Sequence, residues 1–178
     1  RAFPWVAAGL IATLVTGVIG WISRADPPAR TSARFTVATL PVGYLLLSDH
    51  PDVAISPDGT RIVYGSSNPA PLERLLYLRP VNQIEATPIR GTEGGSYPVF
   101  SPNGESIAFF DEANSAMKRV SVLGGRAANV TRPRGSLMAM NWASDDVIVF
   151  STSESHGLRR VPAVGGVSQP LTTENSSQ

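Results

Sequence analysis

The sequence contains no cysteine, and it contains few groups that commonly carry catalysis. Disulfide bonds, thiolate metal sites and a cysteine nucleophile are therefore excluded, although a chain without disulfides is compatible with either side of a membrane. Lysine occurs once, as Lys118, and histidine twice, as His50 and His156. The net charge of +1 at pH 7 lacks the basic excess that is usual in nucleic-acid-binding domains, so we expect no nucleic-acid partner.

The motifs of several enzyme classes are missing as well. The sequence has no G-x-G-x-x-G loop, no H-R-D or D-F-G sequence and no G-x-S-x-G motif. His50 and His156 stand beside predicted turns without a visible catalytic partner, and the adjacent carboxylates Asp111-Glu112 and Asp145-Asp146 occupy turn positions, where capping is more typical than metal binding. We therefore expect no catalytic, metal-binding or cofactor-binding residue in this segment.

One long hydrophobic run is present, from Ala2 to Ser23, with 22 residues and no charge. A helix of that length spans roughly 33 Å, and a bilayer core is about 30 Å thick, so residues 1–23 are predicted to form a transmembrane helix. Trp5 and Trp21 lie near the two ends, where indole rings favour the headgroup interface. The alternative is a cleaved secretory signal, because Ser23-Arg24-Ala25 places small residues at a suitable cleavage position.

The predicted transmembrane helix contains small residues at a regular spacing. Gly9, Thr13 and Gly17 lie at four-residue spacing, which would allow two such helices to pack closely, so a homodimer through this helix is a further hypothesis.

Residues 24–34 are predicted to be a linker, because Asp26-Pro27-Pro28 cannot continue a helix. Residues 35–40 alternate in hydrophobicity and predict a single half-buried strand.

A turn followed by a strand recurs three times in the remaining chain. Ser56-Pro57-Asp58-Gly59 and Ser101-Pro102-Asn103-Gly104 begin 45 positions apart, and Ala143-Ser144-Asp145-Asp146 is a third copy without Pro or Gly. Proline presets the first corner of a tight turn, Asp or Asn tolerates the second, and glycine supplies a positive φ. The β-branched and aromatic residues that follow each copy are typical of buried strands. We expect the third copy to give the least regular unit.

A second phrase recurs at a 41-residue step, and together the two phrases define three units of four short strands. This phrase is Leu76-Tyr77-Leu78-Arg79, then Met117-Lys118-Arg119-Val120, then Leu158-Arg159-Arg160-Val161. Gly124-Gly125 and Gly165-Gly166 occupy equivalent turns between the last two strands of their units. Four antiparallel strands in each repeat of about 40 to 45 residues are the signature of a propeller blade. The predicted blades are residues 51–90, 97–132 and 138–174.

The predicted fold class is therefore all-β: residues 35–178 form a partial β-propeller of three four-stranded antiparallel blades, with an extra strand at 35–40, after one transmembrane helix. Propellers typically contain about 4–8 blades. Three blades and one extra strand lead us to expect a piece of a longer protein, truncated at both ends.

The segment from Leu76 to Gly95, continued by Pro98-Val99-Phe100-Ser101-Pro102-Asn103-Gly104, resembles a known family. It is similar to the TolB-like (WD-repeat-like) propeller that follows the transmembrane helix in a group of bacterial membrane serine/threonine protein kinases. The order of helix, proline-containing linker, single strand and blades is similar too, so the resemblance covers essentially the whole chain. Asn82 and Asn103 stand where the family usually has aspartate. The turn motif alone is shared with TolB and with propellers of prolyl-oligopeptidase-type peptidases.

The resemblance implies a non-catalytic, single-pass protein of the bacterial inner membrane. Its propeller would lie outside the cytoplasm and bind a protein or peptide, and a kinase domain would precede Arg1. Counting Arg24, Arg30 and Arg34 as cytoplasmic charges gives the opposite orientation. Two alternatives stay open: a periplasmic TolB-like scaffold with a cleaved signal sequence, and the propeller of a serine peptidase whose nucleophile would follow Gln178.

Overall fold

The computed structural model describes residues 44–45, 52–67, 74–155 and 157–172, with backbone alone at 44–45 and 66–67. Its regular elements in these ranges are β-strands. The predicted transmembrane helix at residues 1–23, the linker at 24–34 and the extra strand at 35–40 lie outside the described residues. In the described ranges, no helix has the length and hydrophobicity needed to span a bilayer.

The first sheet, blade 1, contains the four predicted strands and one more. The central strand β3 pairs antiparallel with β4, and β4 pairs with β5. On the other side of β3, the pairing with β2 is continued by the short β1, whose residues Tyr44 and Leu45 lie opposite Ser67 and Ser66. The strands of this sheet are β1 (Tyr44–Leu45), β2 (Val53–Ile55), β3 (Arg61–Ser67), β4 (Arg74–Pro80) and β5 (Thr87–Pro88).

The second and third sheets each contain four antiparallel strands in sequence order. The four antiparallel strands expected for each of these repeats are confirmed. Blade 2 comprises β6 (Gly95–Phe100), β7 (Ser106–Asp111), β8 (Ala116–Ser121) and β9 (Ala128–Thr131). Blade 3 comprises β10 (Leu137–Trp142), β11 (Val147–Thr152), β12 (Arg159–Pro162) and β13 (Gln169–Pro170).

The turn between β2 and β3 of blade 1 follows the chemistry predicted from its sequence. Asp58 Oδ1 accepts hydrogen bonds from Ser56 Oγ at 2.5 Å and from the backbone N–H of Thr60 at 3.0 Å. Gly59 has a φ of 70°. In blade 2 the same arrangement recurs with Asn103 as the acceptor, at 2.7 Å from Ser101 Oγ. The two motifs are therefore structurally equivalent.

The third turn reaches a similar geometry with different residues. Asp146 adopts a φ of 61°, close to the values of the glycines in the other two turns. Its carboxylate accepts a hydrogen bond of 2.9 Å from Trp142 Nε1, and the backbone N–H of Ala143 donates to the carbonyl of Val147 at 2.8 Å. Aspartate tolerates the left-handed region better than most residues. The strand order of blade 3 is therefore regular, although the pairing of β10 with β11 shifts register once, between Leu137 and Ala139.

The hydrophobic core lies between the blades rather than within a single sheet. Successive residues of β7 alternate between two clusters, as strand geometry requires. Ile107 and Phe109 pack in the cluster shared with blade 1, whereas Ala108 and Phe110 pack in the cluster shared with blade 3. All four are at most 5% exposed. The unbroken hydrophobic run of this strand is therefore explained by burial on both faces.

Neighbouring blades are also joined through the two glycine pairs. The N–H of Gly125 donates to the carbonyl of Arg90 at 3.0 Å, and the N–H of Gly166 donates to the carbonyl of Val130 at 3.0 Å. Both glycines have positive φ, 128° and 144°. The turn between the last two strands of a blade thus contacts the outer part of the preceding blade. The predicted equivalence of these turns is confirmed.

Candidate functional site: a pocket lined by arginines

Two loops of neighbouring blades are held together at one end of the sheets. One loop connects β9 to β10, and the other connects β11 to β12. The N–H of Ser153 donates to the carbonyl of Ser136 at 2.9 Å, and the N–H of Ser136 donates to Ser153 Oγ at 3.0 Å. Loops anchored on rigid strands are common positions for binding residues.

The path of the first loop is set by the sequence Arg132-Pro133-Arg134-Gly135. Proline fixes its own φ and restricts the residue before it to extended backbone. Gly135 has a φ of 76°, and a Cβ atom there would lie 2.8 Å from Ser153 Oγ and 2.9 Å from Glu154 Cγ. Glycine therefore permits the close approach of the two loops. The arrangement holds two arginines beside the loop of blade 3.

A cavity of about 600 Å³ lies at this place, within the range of roughly 300–1,000 Å³ that is usual for small-molecule sites. We name it the arginine pocket, because three arginines line it beside a single carboxylate. Most of its other lining residues carry hydroxyl groups. The lining residues are Thr131, Arg132, Arg134, Thr152, Glu154, Ser155, Arg159, Gly166, Val167 and Ser168.

The guanidinium group of Arg159 is positioned by one neighbour. Its Nε donates to Ser168 Oγ at 3.1 Å, and its Nη2 donates to the carbonyl of Ser168 at 2.9 Å. Within the described ranges, the ion pairs are Arg74 with Asp52 and Lys118 with Asp111, so none of the three pocket arginines is paired with a carboxylate of those ranges.

The acidic residues considered from the sequence have other partners. Asp111 accepts hydrogen bonds from Lys118 Nζ at 2.5 Å and from Asn114 Nδ2 at 2.8 Å. Burial raises the pKa of Asp111, but the hydrogen bonds from Lys118 and Asn114 outweigh it, and the pKa is lowered. Glu112 accepts a hydrogen bond from Ser96 Oγ at 2.6 Å.

The remaining candidates considered from the sequence are Asp145, Asp146 and the two histidines. Asp145 is exposed in the third turn, where Asp146 is bonded to Trp142. His50 and His156 lie outside the described residues. Across the part of the chain that is described, no three acidic or histidine side chains are grouped so that they could hold a metal ion.

Sequence reasoning did not identify the arginine pocket. A signal was present in Arg132-Pro133-Arg134-Gly135, where two cations, a proline and a glycine stand in the connection between two blades. A second signal was the 41-residue step, which aligns Arg159 with Lys118. Neither signal indicates by itself that the two loops meet, because that contact depends on the packing of blade 3 against blade 2.

Four-stranded sheets with hydrophobic cores between them are the architecture of a β-propeller. Comparisons with known proteins identify the propellers that this chain resembles. No protein-family model and no curated protein matches the chain. A structure described as TolB from Agrobacterium tumefaciens matches with a TM-score of 0.59 and 19% identity, covering 69% of this chain and 46% of that one. TolB from Acinetobacter baumannii matches with a TM-score of 0.56 and 22% identity, covering 75% of this chain and 35% of that one.

A chain of a nidogen/laminin complex matches with a TM-score of 0.56 and 11% identity, covering 69% of this chain and 48% of that one. The present chain thus spans about half, or less, of the length of these structures. At such identities the likeness establishes the fold alone. The fold is a TolB-like β-propeller.

Proposed function

We propose that this chain is the non-catalytic ligand-binding segment of a membrane-anchored receptor, in which the propeller lies outside the cytoplasm. The observation that carries the proposal is the arginine pocket, a cavity between two clamped loops whose three cations lack an ion-pair partner within the described ranges. Such a site suits the recognition of a ligand or of a protein partner.

The receptor class we propose is a bacterial serine/threonine protein kinase of the inner membrane. Its support is the resemblance of Leu76 to Gly104 to the propellers of such kinases, together with the uncharged run from Ala2 to Ser23. The helix at residues 1–23 would connect occupancy of the propeller to a kinase domain before Arg1. The binding partner would be a protein or peptide, or a smaller ligand in the arginine pocket.

Two measurements on the complete gene test this proposal. We expect the coding sequence upstream of Arg1 to contain H-R-D and D-F-G motifs, as a kinase domain requires. We also expect alkaline phosphatase, which is active outside the cytoplasm, to be active when fused after Thr172 and inactive when fused before Ala2. An upstream sequence without kinase motifs would contradict the receptor-kinase proposal. Phosphatase activity in the fusion before Ala2 and not in the fusion after Thr172 would contradict the extracytoplasmic position of the propeller.

A periplasmic TolB-like scaffold with a cleaved signal is the second candidate, favoured by the two TolB structures among the matches. Mass spectrometry of the mature protein separates the two. A mature N-terminus at Asp26 supports the scaffold, whereas retention of Ala2 to Ser23 supports the membrane anchor. The serine-peptidase alternative stays a prediction, which the presence of a G-x-S-x-G motif after Gln178 would decide.

A further inference from the structure

We propose that the arginine pocket binds a small ligand with at least two oxygen-centred negative charges, the chemistry that phosphate esters and dicarboxylates share. This inference rests on the proposed binding function, since it names the ligand class of that site.

Blades 2 and 3 differ in charge at one pair of equivalent positions. Lys118 and Arg159 are 41 residues apart, and each lies opposite a phenylalanine on the neighbouring strand. In blade 2 the cation pairs with Asp111, the last residue of β7. The equivalent last residue of β11 is Thr152, which cannot supply a negative charge. Blade 3 therefore keeps the cation of this pair and lacks its anion.

The cation of blade 3 is also oriented for a ligand. The bonds from Nε and Nη2 of Arg159 to Ser168 hold the guanidinium plane, and its remaining N–H donors have no protein partner in the described ranges. The planar fork of a guanidinium group matches carboxylate and phosphate oxygens, often in a bidentate arrangement. A guanidinium group whose orientation is already fixed loses less conformational entropy on binding than a mobile one.

The charges that line the cavity favour a small dianion over other occupants. Arg132, Arg134 and Arg159 outweigh Glu154 by two positive charges, which a ligand with two negative charges would neutralise. The hydroxyl groups of Thr131 and Ser168 can accept hydrogen bonds from hydroxyl groups of the same ligand. A long nucleic acid is disfavoured, because the whole chain carries a net charge of only +1.

The test is calorimetric titration of the whole 178-residue chain in detergent at constant ionic strength. Inorganic pyrophosphate and succinate are the two probes. We expect saturable one-site binding of at least one of them. Binding of pyrophosphate alone identifies a phosphate ester as the ligand source, binding of succinate alone identifies a dicarboxylate, and binding of both supports the shared chemistry. Binding of neither probe overturns the inference.

Two independent variants locate the binding in the pocket. Arg159→Gln removes the held cation and should weaken association about tenfold or more, as expected for a hydrogen bond to a charged group. Thr152→Asp restores the carboxylate position of blade 2, so an internal ion pair with Arg159 should displace the probe to a similar extent. Circular dichroism verifies that each variant retains its strands.

The matched control is Arg126→Gln, which removes an exposed arginine that does not line the pocket. Its association constant should stay within about twofold of the original, since a distant exposed charge is screened. Equal loss in Arg126→Gln and Arg159→Gln, or unchanged binding in Thr152→Asp, contradicts the inference. If neither probe binds and kinase motifs are found upstream of Arg1, only the inference about the pocket is wrong. If a probe binds and those motifs are missing, only the receptor-kinase proposal is wrong.

Discussion

The carboxyl group of Asp58 illustrates how one side chain supports a tight turn. The hydrogen bond from Ser56, reinforced by the backbone N–H of Thr60, lowers the pKa of Asp58 from 3.8 to about 2. Both donors favour the ionised carboxylate. A lowered pKa in the folded state means that this group adds to stability above its unfolded pKa, and that the contribution is lost as the pH falls towards about 2.

We predict that Asp58→Asn changes the acid sensitivity of the chain more than its stability at neutral pH. Asparagine keeps an oxygen acceptor, as Asn103 does in the equivalent turn, but it does not titrate. Urea midpoints should therefore be similar at pH 7, and the decrease between pH 3.8 and about 2 should be smaller in the variant.

Asp145→Asn, at an exposed position in the third turn, controls for the loss of one surface carboxylate. The carbon resonance of the Asp58 carboxyl group reports its titration directly in the unaltered chain. A midpoint close to 3.8 instead of about 2 would show that the turn does not favour the ionised form, and the prediction would be wrong.

The contacts between successive blades depend on glycine at particular positions. Gly91, with a φ of 88°, lies just after the last strand of blade 1. A Cβ atom there would be 2.0 Å from the carbonyl oxygen of Gly125, in the turn between β8 and β9. The obstructing atom belongs to the backbone, so rotation of a side chain cannot relieve the clash.

We predict that Gly91→Ala destabilises the chain more than Gly59→Ala does. At Gly59 the φ is 70° and nothing lies within 4 Å of an added Cβ, so alanine meets only the cost of left-handed backbone, about 1–2 kcal/mol. Gly91→Ala adds overpacking between blades, about 1–3 kcal/mol more. Denaturant unfolding of both variants measures the difference. Equal losses would indicate that the turn of blade 2 can move away at little cost.

The strands of the blades could be predicted from sequence because their signals are local. Proline, asparagine or aspartate, and glycine at a regular step fix the turns, and β-branched residues follow them. The strand β1 was not predicted, since Tyr44 and Leu45 pair with Ser67 and Ser66 far along the chain. The arginine pocket was missed for the same reason: Arg134 and Arg159 become neighbours of one cavity only through packing between blades.

The third turn shows a different limit of sequence reasoning. The loss of proline and glycine there indicated an irregular blade, yet Asp146 takes the left-handed position and is bonded to Trp142. A carboxylate and an indole four residues apart can substitute for glycine in this way. Their pairing could not be foreseen without the geometry of the hairpin.

The strand β2 of blade 1 exposes two hydrophobic side chains. Ala54 of β2 packs against the core shared with blade 2, and its two neighbours in the strand alternate to the opposite side. These neighbours, Val53 and Ile55, are 48% and 55% exposed. Exposed hydrophobic side chains on a β-strand favour association with another surface.

We predict that Val53→Thr combined with Ile55→Thr reduces self-association of the chain while leaving the three sheets folded. Threonine keeps the branched shape that suits a strand but makes the exposed face polar. Leu123→Thr is the control, because Leu123 is 93% exposed in the turn after β8 and lies on no sheet face. Sedimentation velocity over a range of concentrations should show a shift towards the monomer in the double variant only. If Leu123→Thr produces an equal shift, or the double variant produces none, then association does not proceed through this face of blade 1.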